Sequence, residues 1–163
     1  MAELTPLDEK LAEVLGLAQA AQQATTHVAG MEGADAFKKD LAKMSDQAAE
    51  TERRTDAYID TLEGRKTAIR EKARETKSEA VEMMKTYLEG EEEALDGFEF
   101  LSMAEAGELC HWEIVQTIAG AAGDAKAKAI ADWAVPVQQT HINGVRDAYL
   151  ALAVEEAKEM ASA

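Results

Sequence analysis

The chain has 163 residues, 47 % of them hydrophobic but only 5 % aromatic, and carries a formal net charge of −15 from 32 acidic and 17 basic residues. That length fits one domain, 1–163, with a sizeable core, and the charge excludes the basic surfaces that nucleic acids and anionic membranes select. A lone Cys110 excludes an internal disulfide.

Ala, Glu, Leu and Lys dominate and β-branched runs are scarce, so the composition predicts an all-α fold. The first helix opens on Thr5 as N-cap, Pro6 at its first position and Asp8 three residues after the cap. Its apolar stripe runs Leu7, Leu11, Val14, Ala18, Ala21, Thr25 and Val28, and Gly30 and Gly33 end it. The second spans Asp35 to Gly64, with Leu41, Met44, Ala48, Thr51 and Thr55 on one side. The run RKTAIREKARETK follows, with six of the 17 basic residues, and reads as a solvated helix or crossover within 65–90.

The third helix follows Gly90, takes Glu91, Glu92 and Glu93 into its first turn, and runs to Ala122. Gly123 and Asp124 supply a stop and a fresh N-cap. The fourth helix carries Ile130, Trp133, Val137, His141, Val145, Ala148 and Leu152 as its stripe, with Pro136 inside it. Two short turns and one long link predict an antiparallel four-helix bundle with a crossover between helices two and three. The acidic start MAELTPLDEK lacks a signal-peptide layout and no apolar run reaches about 18 residues, so the expectation is a cytoplasmic chain without a membrane span.

Helix three raises the chemical question. Leu101, Ala104, Glu108, His111, Val115 and Ile118 follow steps of three and four, which puts Glu108 and His111 on the seam with Glu105 one turn away. Between Lys85 and Lys126 there are eight Glu and two Asp but no Lys or Arg. These carboxylates need solvent, a proton, a partner on another helix, or a metal. Helix four offers Gln138 and His141 as Q-x-x-H against the E-x-x-H of helix three, and helix two offers Glu52. Helix one has Gln19 and Gln22 on its central stripe in place of a carboxylate. Two readings stand. Glu52, Glu108, His111 and His141 are candidate ligands for iron, manganese or zinc, with Glu105 and Gln138 orienting them. Alternatively Glu108, His111 and His141 form a metal-free hydrogen-bonded network with Gln138 and Arg146. Cys110 reads as a packed thiol on a second apolar face with Met103. That face, with Phe98 and Trp112 nearby, predicts a homodimer contact.

The stretch HWEIVQTIAGAAGDAKAKAIADWAVPVQQTHINGV is similar to the third-to-fourth helix region of bacterial stress-associated ferritin-like proteins. Those have a Glu-His-Tyr-Glu-Ile type core, a Leu-Gly-Asp type turn and a carboxylate-bearing fourth helix. AFKKDLAKMSDQAAETERRTDAYIDTLEG resembles their second helix, which carries a Thr-Glu pair. The resemblance implies a ferritin-like bundle, a dinuclear metal site and a dimer. Carried over by position, it implies Glu52, the Glu105/Glu108 neighbourhood and His111 as site residues. Gln138 and Gln139 stand where the family has carboxylates, Gln19 where helix one supplies a glutamate, and His141 is particular to this chain. The functional expectations are therefore a metal-binding ferritin-like protein or a metal-free bundle serving stress response or assembly. No motif assigns a catalytic residue.

Overall fold

The computed structural model describes residues 3–163 and places five long helices. They are α1 (Pro6–Ala29), α2 (Lys38–Ile59), α3 (Lys66–Tyr87), α4 (Ala94–Ala122) and α5 (Ala125–Ser162), with a short 3₁₀ turn at Asp35–Phe37 leading into α2. The expected start of α1 is present in full: Thr5 Oγ1 accepts from Asp8 N, and the Asp8 carboxylate accepts from Thr5 N. Asp8 also holds Arg65 at 2.6 Å, which ties the start of α1 to the start of α3. At the other turn Gly123 takes φ 70°, a left-handed conformation that suits glycine, and Asp124 caps α5 by accepting from Ala127 N. Asp124 also accepts a hydrogen bond from the Tyr58 hydroxyl, joining the end of α2 to the start of α5.

Two boundaries differ from expectation. The basic run, expected as a solvated helix or crossover, is the 22-residue helix α3, and it is not wholly solvated, since it buries Ile69, Ala73 and Met84. It does so with few apolar residues because its partner α1 offers no side chain at Gly16. A Cβ there would lie 2.5 Å from the Ala73 carbonyl oxygen and 2.8 Å from Thr76 Cβ. The glutamates Glu91 and Glu92 precede α4, with Glu93 as N-cap, so Asp96 is the acid of the first turn. The delay has a cause. Glu32 N donates to Glu92 O at 2.9 Å and Ala94 N donates to Glu32 O at 2.8 Å, holding this stretch extended against the loop after α1.

Helix α1 packs against α2, α3 and α4, while α5 packs against α4 and α2. Cross-seam pairs give the directions. Gln116–Asp132, Glu108–Gln138 and Glu105–His141 run α4 and α5 antiparallel. Arg54 over Trp133 and Gln47–His141 do the same for α2 and α5. Asp8–Arg65 and the Gly16–Ala73 approach make α1 and α3 parallel, so α3 returns the chain from the end of α2 to the start of α4.

The buried faces are rotated slightly from those expected. On α4 the buried positions are Leu101, Glu105, Glu108, Trp112, Val115 and Ala119, so Glu105 and Trp112 displace Ala104 and His111. On α5 they are Ala127, Ala131, Ala134, Gln138, His141, Val145 and Ala148, while Ile130, Trp133 and Val137 flank the seam half-buried. Alanines at the centre of the α4–α5 seam leave room for close approach, and the larger residues pack beside it. Phe98 and Trp112, expected at a subunit contact, are 2 % and 0 % exposed and belong to the core, whereas Met103 is exposed. Cys110 is exposed rather than packed.

The close approach at Gly16 gives a test. In an open helix Gly→Ala is worth up to about 1 kcal/mol in propensity, while forcing atoms into a packed seam costs roughly 1–3 kcal/mol. Because the obstacles at Gly16 include Ala73 and Lys77 backbone, the second effect wins. Gly16→Ala should lower the melting temperature, and Gly144→Ala, where an added Cβ meets nothing within 4 Å, should raise it or leave it unchanged. Thermal unfolding followed by circular dichroism measures both.

Candidate functional site

Two apolar clusters fill the bundle. One, around Leu11, Leu15, Ile59, Trp112 and Val115, lies toward the start of α1; the other, around Val28, Leu41, Phe98, Leu101 and Val145, lies toward its end. Between them runs a layer of polar side chains. Glu105, Glu108, Gln138 and His141 are each buried, at 1 %, 3 %, 1 % and 4 % exposure. A buried carboxylate without partners is costly, and the layer supplies partners from neighbouring helices.

Glu105 Oε2 lies 3.0 Å from His141 Nδ1, and His141 Nε2 lies 2.8 Å from Gln47 Oε1. Both ring nitrogens thus face oxygens, one from α4 and one from α2. Gln138 Nε2 donates to Glu108 Oε2 at 3.1 Å. On the α1–α2 seam the half-buried Glu52 accepts from Gln22 Nε2 at 2.6 Å and Gln19 Nε2 at 3.1 Å. On the α1–α4 seam His111 Nδ1 stands 3.1 Å from Glu13 Oε2, close enough for an ion pair but without hydrogen-bond alignment. The Thr25, Thr51 and Thr55 hydroxyls bond back to carbonyls of their own helices. Polar contacts therefore bridge all four seams of α1, α2, α4 and α5.

The candidate residues divide accordingly. The layer joins Glu105, Glu108, Gln138 and His141, places Glu52 on another seam and puts His111 half-buried against α1. Arg146 is exposed and outside it. Among the described residues no group of three or more His, Cys, Asp or Glu side chains is arranged to hold a metal ion. Gln19, Gln22 and Gln138 direct amide N–H groups at the carboxylate oxygens, and amides in that orientation donate protons where metal ligation needs lone pairs. Gln47 is the member sequence reasoning missed. Its only signal is a position one turn before Thr51 on the face of α2 toward α5.

Burial pushes Glu108 well above the ordinary glutamate value, the Glu105 charge raises it further, and the Gln138 hydrogen bond opposes both. Burial likewise lowers His111 below the ordinary imidazole value, with Glu13 opposing and Lys10 assisting. Glu108 is thus held toward the neutral acid and His111 toward the neutral base.

Beside the layer lies a cavity of about 310 Å³ between α1, α3 and α4. Ala20, Ala21 and Ala24 of α1, Ala80 of α3, and Ala104 and Gly107 of α4 face it, and these small residues leave the space unfilled. Glu105, Glu108 and His111 line its polar side, while Met83, Tyr87 and Met103, exposed at 67 %, 42 % and 52 %, form its rim. A second cavity of about 110 Å³ between α2 and α5 reaches Gln47 and His141 from the opposite side. No family model matches the chain, and no curated protein and no solved structure matches it.

Glu108 yields a pH prediction. Its folded-state value lies above the ordinary 4.5. The contribution of its neutral form is therefore fully present below that value and is lost as pH rises through the folded one. Glu108→Gln keeps the shape and removes the titration. Its melting temperature relative to the parent should rise steadily from pH 5 to pH 8, with the variant the more stable at pH 8. A difference that stays constant across that range contradicts the assignment.

Proposed function

We propose that this chain is a ferritin-like bundle that binds a small apolar molecule, with its polar layer held by hydrogen bonds and without a metal. The order of the helices supports the ferritin-like part: two pairs with short turns, and a return along the bundle by α3. Support for a metal-free layer comes from the neutral amides and the imidazole that already occupy the carboxylates. The single observation that carries the binding reading is the cavity of about 310 Å³. It lies at the small end of ligand pockets, which run from about 300 to 1,000 Å³, and it has their usual make-up of apolar walls with a few converging polar groups. Protein cores normally close up to crystal-like density. Here three helices keep alanine and glycine facing one another around a space with an open rim.

Gly107 allows a direct test, since it lines the cavity and an added Cβ there meets nothing within 4 Å. Gly107→Leu should fill the space. The parent protein should take up an environment-sensitive apolar dye in a saturable manner with unit stoichiometry. The variant should bind it at least about tenfold more weakly while melting at a higher temperature. Dye binding unaffected by this substitution would remove the cavity as the site. Elemental analysis of untagged protein tests the metal-free layer. Iron, manganese or zinc near one equivalent, with a chelator-induced drop in melting temperature, would overturn that part.

A further inference from the structure

We infer that the cavity selects a cationic amphiphile, a primary amine on an apolar body, with the ammonium seated at Glu108. The inference rests on the reading of this cavity as a binding site and adds the chemical class of its ligand. Glu105, Glu108 and His111 reach the space on its polar side. Glu105 is held by His141 on α5, and His111 Nδ1 lies 3.1 Å from Glu13 Oε2 on α1 without a hydrogen bond. Glu108 uses one oxygen, Oε2, for Gln138, and among the described residues no hydrogen bond reaches Oε1. A 3 %-exposed carboxyl with a free oxygen beside an apolar space is a head-group receptor awaiting a donor.

The sign of the ligand charge follows from what surrounds that oxygen. No Lys or Arg lines the cavity, and none occurs on α4. Glu105 and Glu13 stand nearby with His111, and the phenol of Tyr87 at the rim is raised by burial and by Glu99. A fatty anion entering here would meet Glu108 with no Lys or Arg on the cavity wall to receive it. A neutral alcohol would gain only the apolar contacts and a single hydrogen bond. An ammonium would form a charge-assisted pair with Glu108 inside a low-dielectric wall, where such pairs are strongest. The ammonium keeps its proton, and the fraction of Glu108 that burial holds protonated in the free protein gives its proton to the buffer as the pair forms. Amine binding is therefore accompanied by proton release.

The test uses octylamine, octanol and octanoate, which share one tail and differ in head charge, titrated calorimetrically into the full chain at neutral pH. Paired buffers of different ionisation enthalpy count the protons. Octylamine should bind at least about tenfold tighter than octanol with proton release, and octanoate should bind weakest. Glu108→Gln should still take octanol but lose both the amine preference and the proton release. Equal binding of amine and alcohol without proton release overturns the inference while leaving the cavity as an apolar site. An amine preference that survives in Glu108→Gln assigns the attraction to the acidic surface, and also overturns it. If none of the three binds and Gly107→Leu changes nothing, the cavity reading itself falls.

Discussion

The pairing of Glu105 with His141 across the α4–α5 seam is the constraint from which the rest of the architecture follows. Both side chains are almost wholly buried, and each has a second obligation: His141 to Gln47 on α2, Glu105 to a position one turn from Glu108. Breaking a buried pair strands a charge at a cost of about 3–5 kcal/mol. A slip of α5 by one turn would place Gln138 or Val145 against Glu105 and carry His141 away from Gln47. Apolar contacts discriminate poorly between such registers, because alanine presents the same methyl at each turn. The polar layer therefore fixes the register that the alanine-rich seams leave open.

The same layer explains how a chain so acidic folds a helix with no cation of its own. Glu105 and Glu108 on α4 and Glu52 on α2 are served by Gln19, Gln22 and Gln138 and by one imidazole, not by lysine or arginine. Amides carry no desolvation cost of a full charge, so the layer holds less buried charge than a set of ion pairs would. What remains unbalanced is Glu108, which has an amide on one oxygen and another carboxylate for a neighbour. Its response is a proton affinity raised well above that of an ordinary glutamate.

Much of this was legible in the sequence. Thr5-Pro6-x-Asp8 and Gly123-Asp124 mark their boundaries through local backbone chemistry, and local chemistry survives folding unchanged. The burial of Glu108, Gln138 and His141 was legible too, since their spacing on helices with an apolar face leaves few alternatives. The rotation of the faces was not. Ile130, Trp133 and Val137 are more hydrophobic than Ala127, Ala131 and Ala134, and a periodicity argument follows hydrophobicity. The structure buries the alanines because close helix approach rewards small size at the seam. On α4 the face is rotated as well, with Trp112 buried among Leu11, Leu15 and Ile59 and His111 half-buried. The burial of α3 was hidden for a related reason: it depends on Gly16, on another helix, and no local pattern in 65–90 records that.

Small residues thus perform two opposite tasks in one molecule. At Gly16 and along the α4–α5 seam the missing side chains are matched by a neighbouring backbone, and the gap closes. Around Ala20, Ala24, Ala80 and Gly107 three helices meet with small residues on each, and the gap stays open. Two cylinders can approach until they touch, but three packed side by side leave a channel that only side chains can fill. The difference lies in the number of helices that meet, not in the residues themselves. Helix α3 is what creates the third wall. Without it the apolar faces of α1 and α4 would lie open to solvent beside Glu108; with it they line a space whose polar end is a carboxyl group that its surroundings push toward the neutral form. The basic, weakly apolar segment that least resembles a core element in the sequence is the one that turns a bundle seam into a binding cavity.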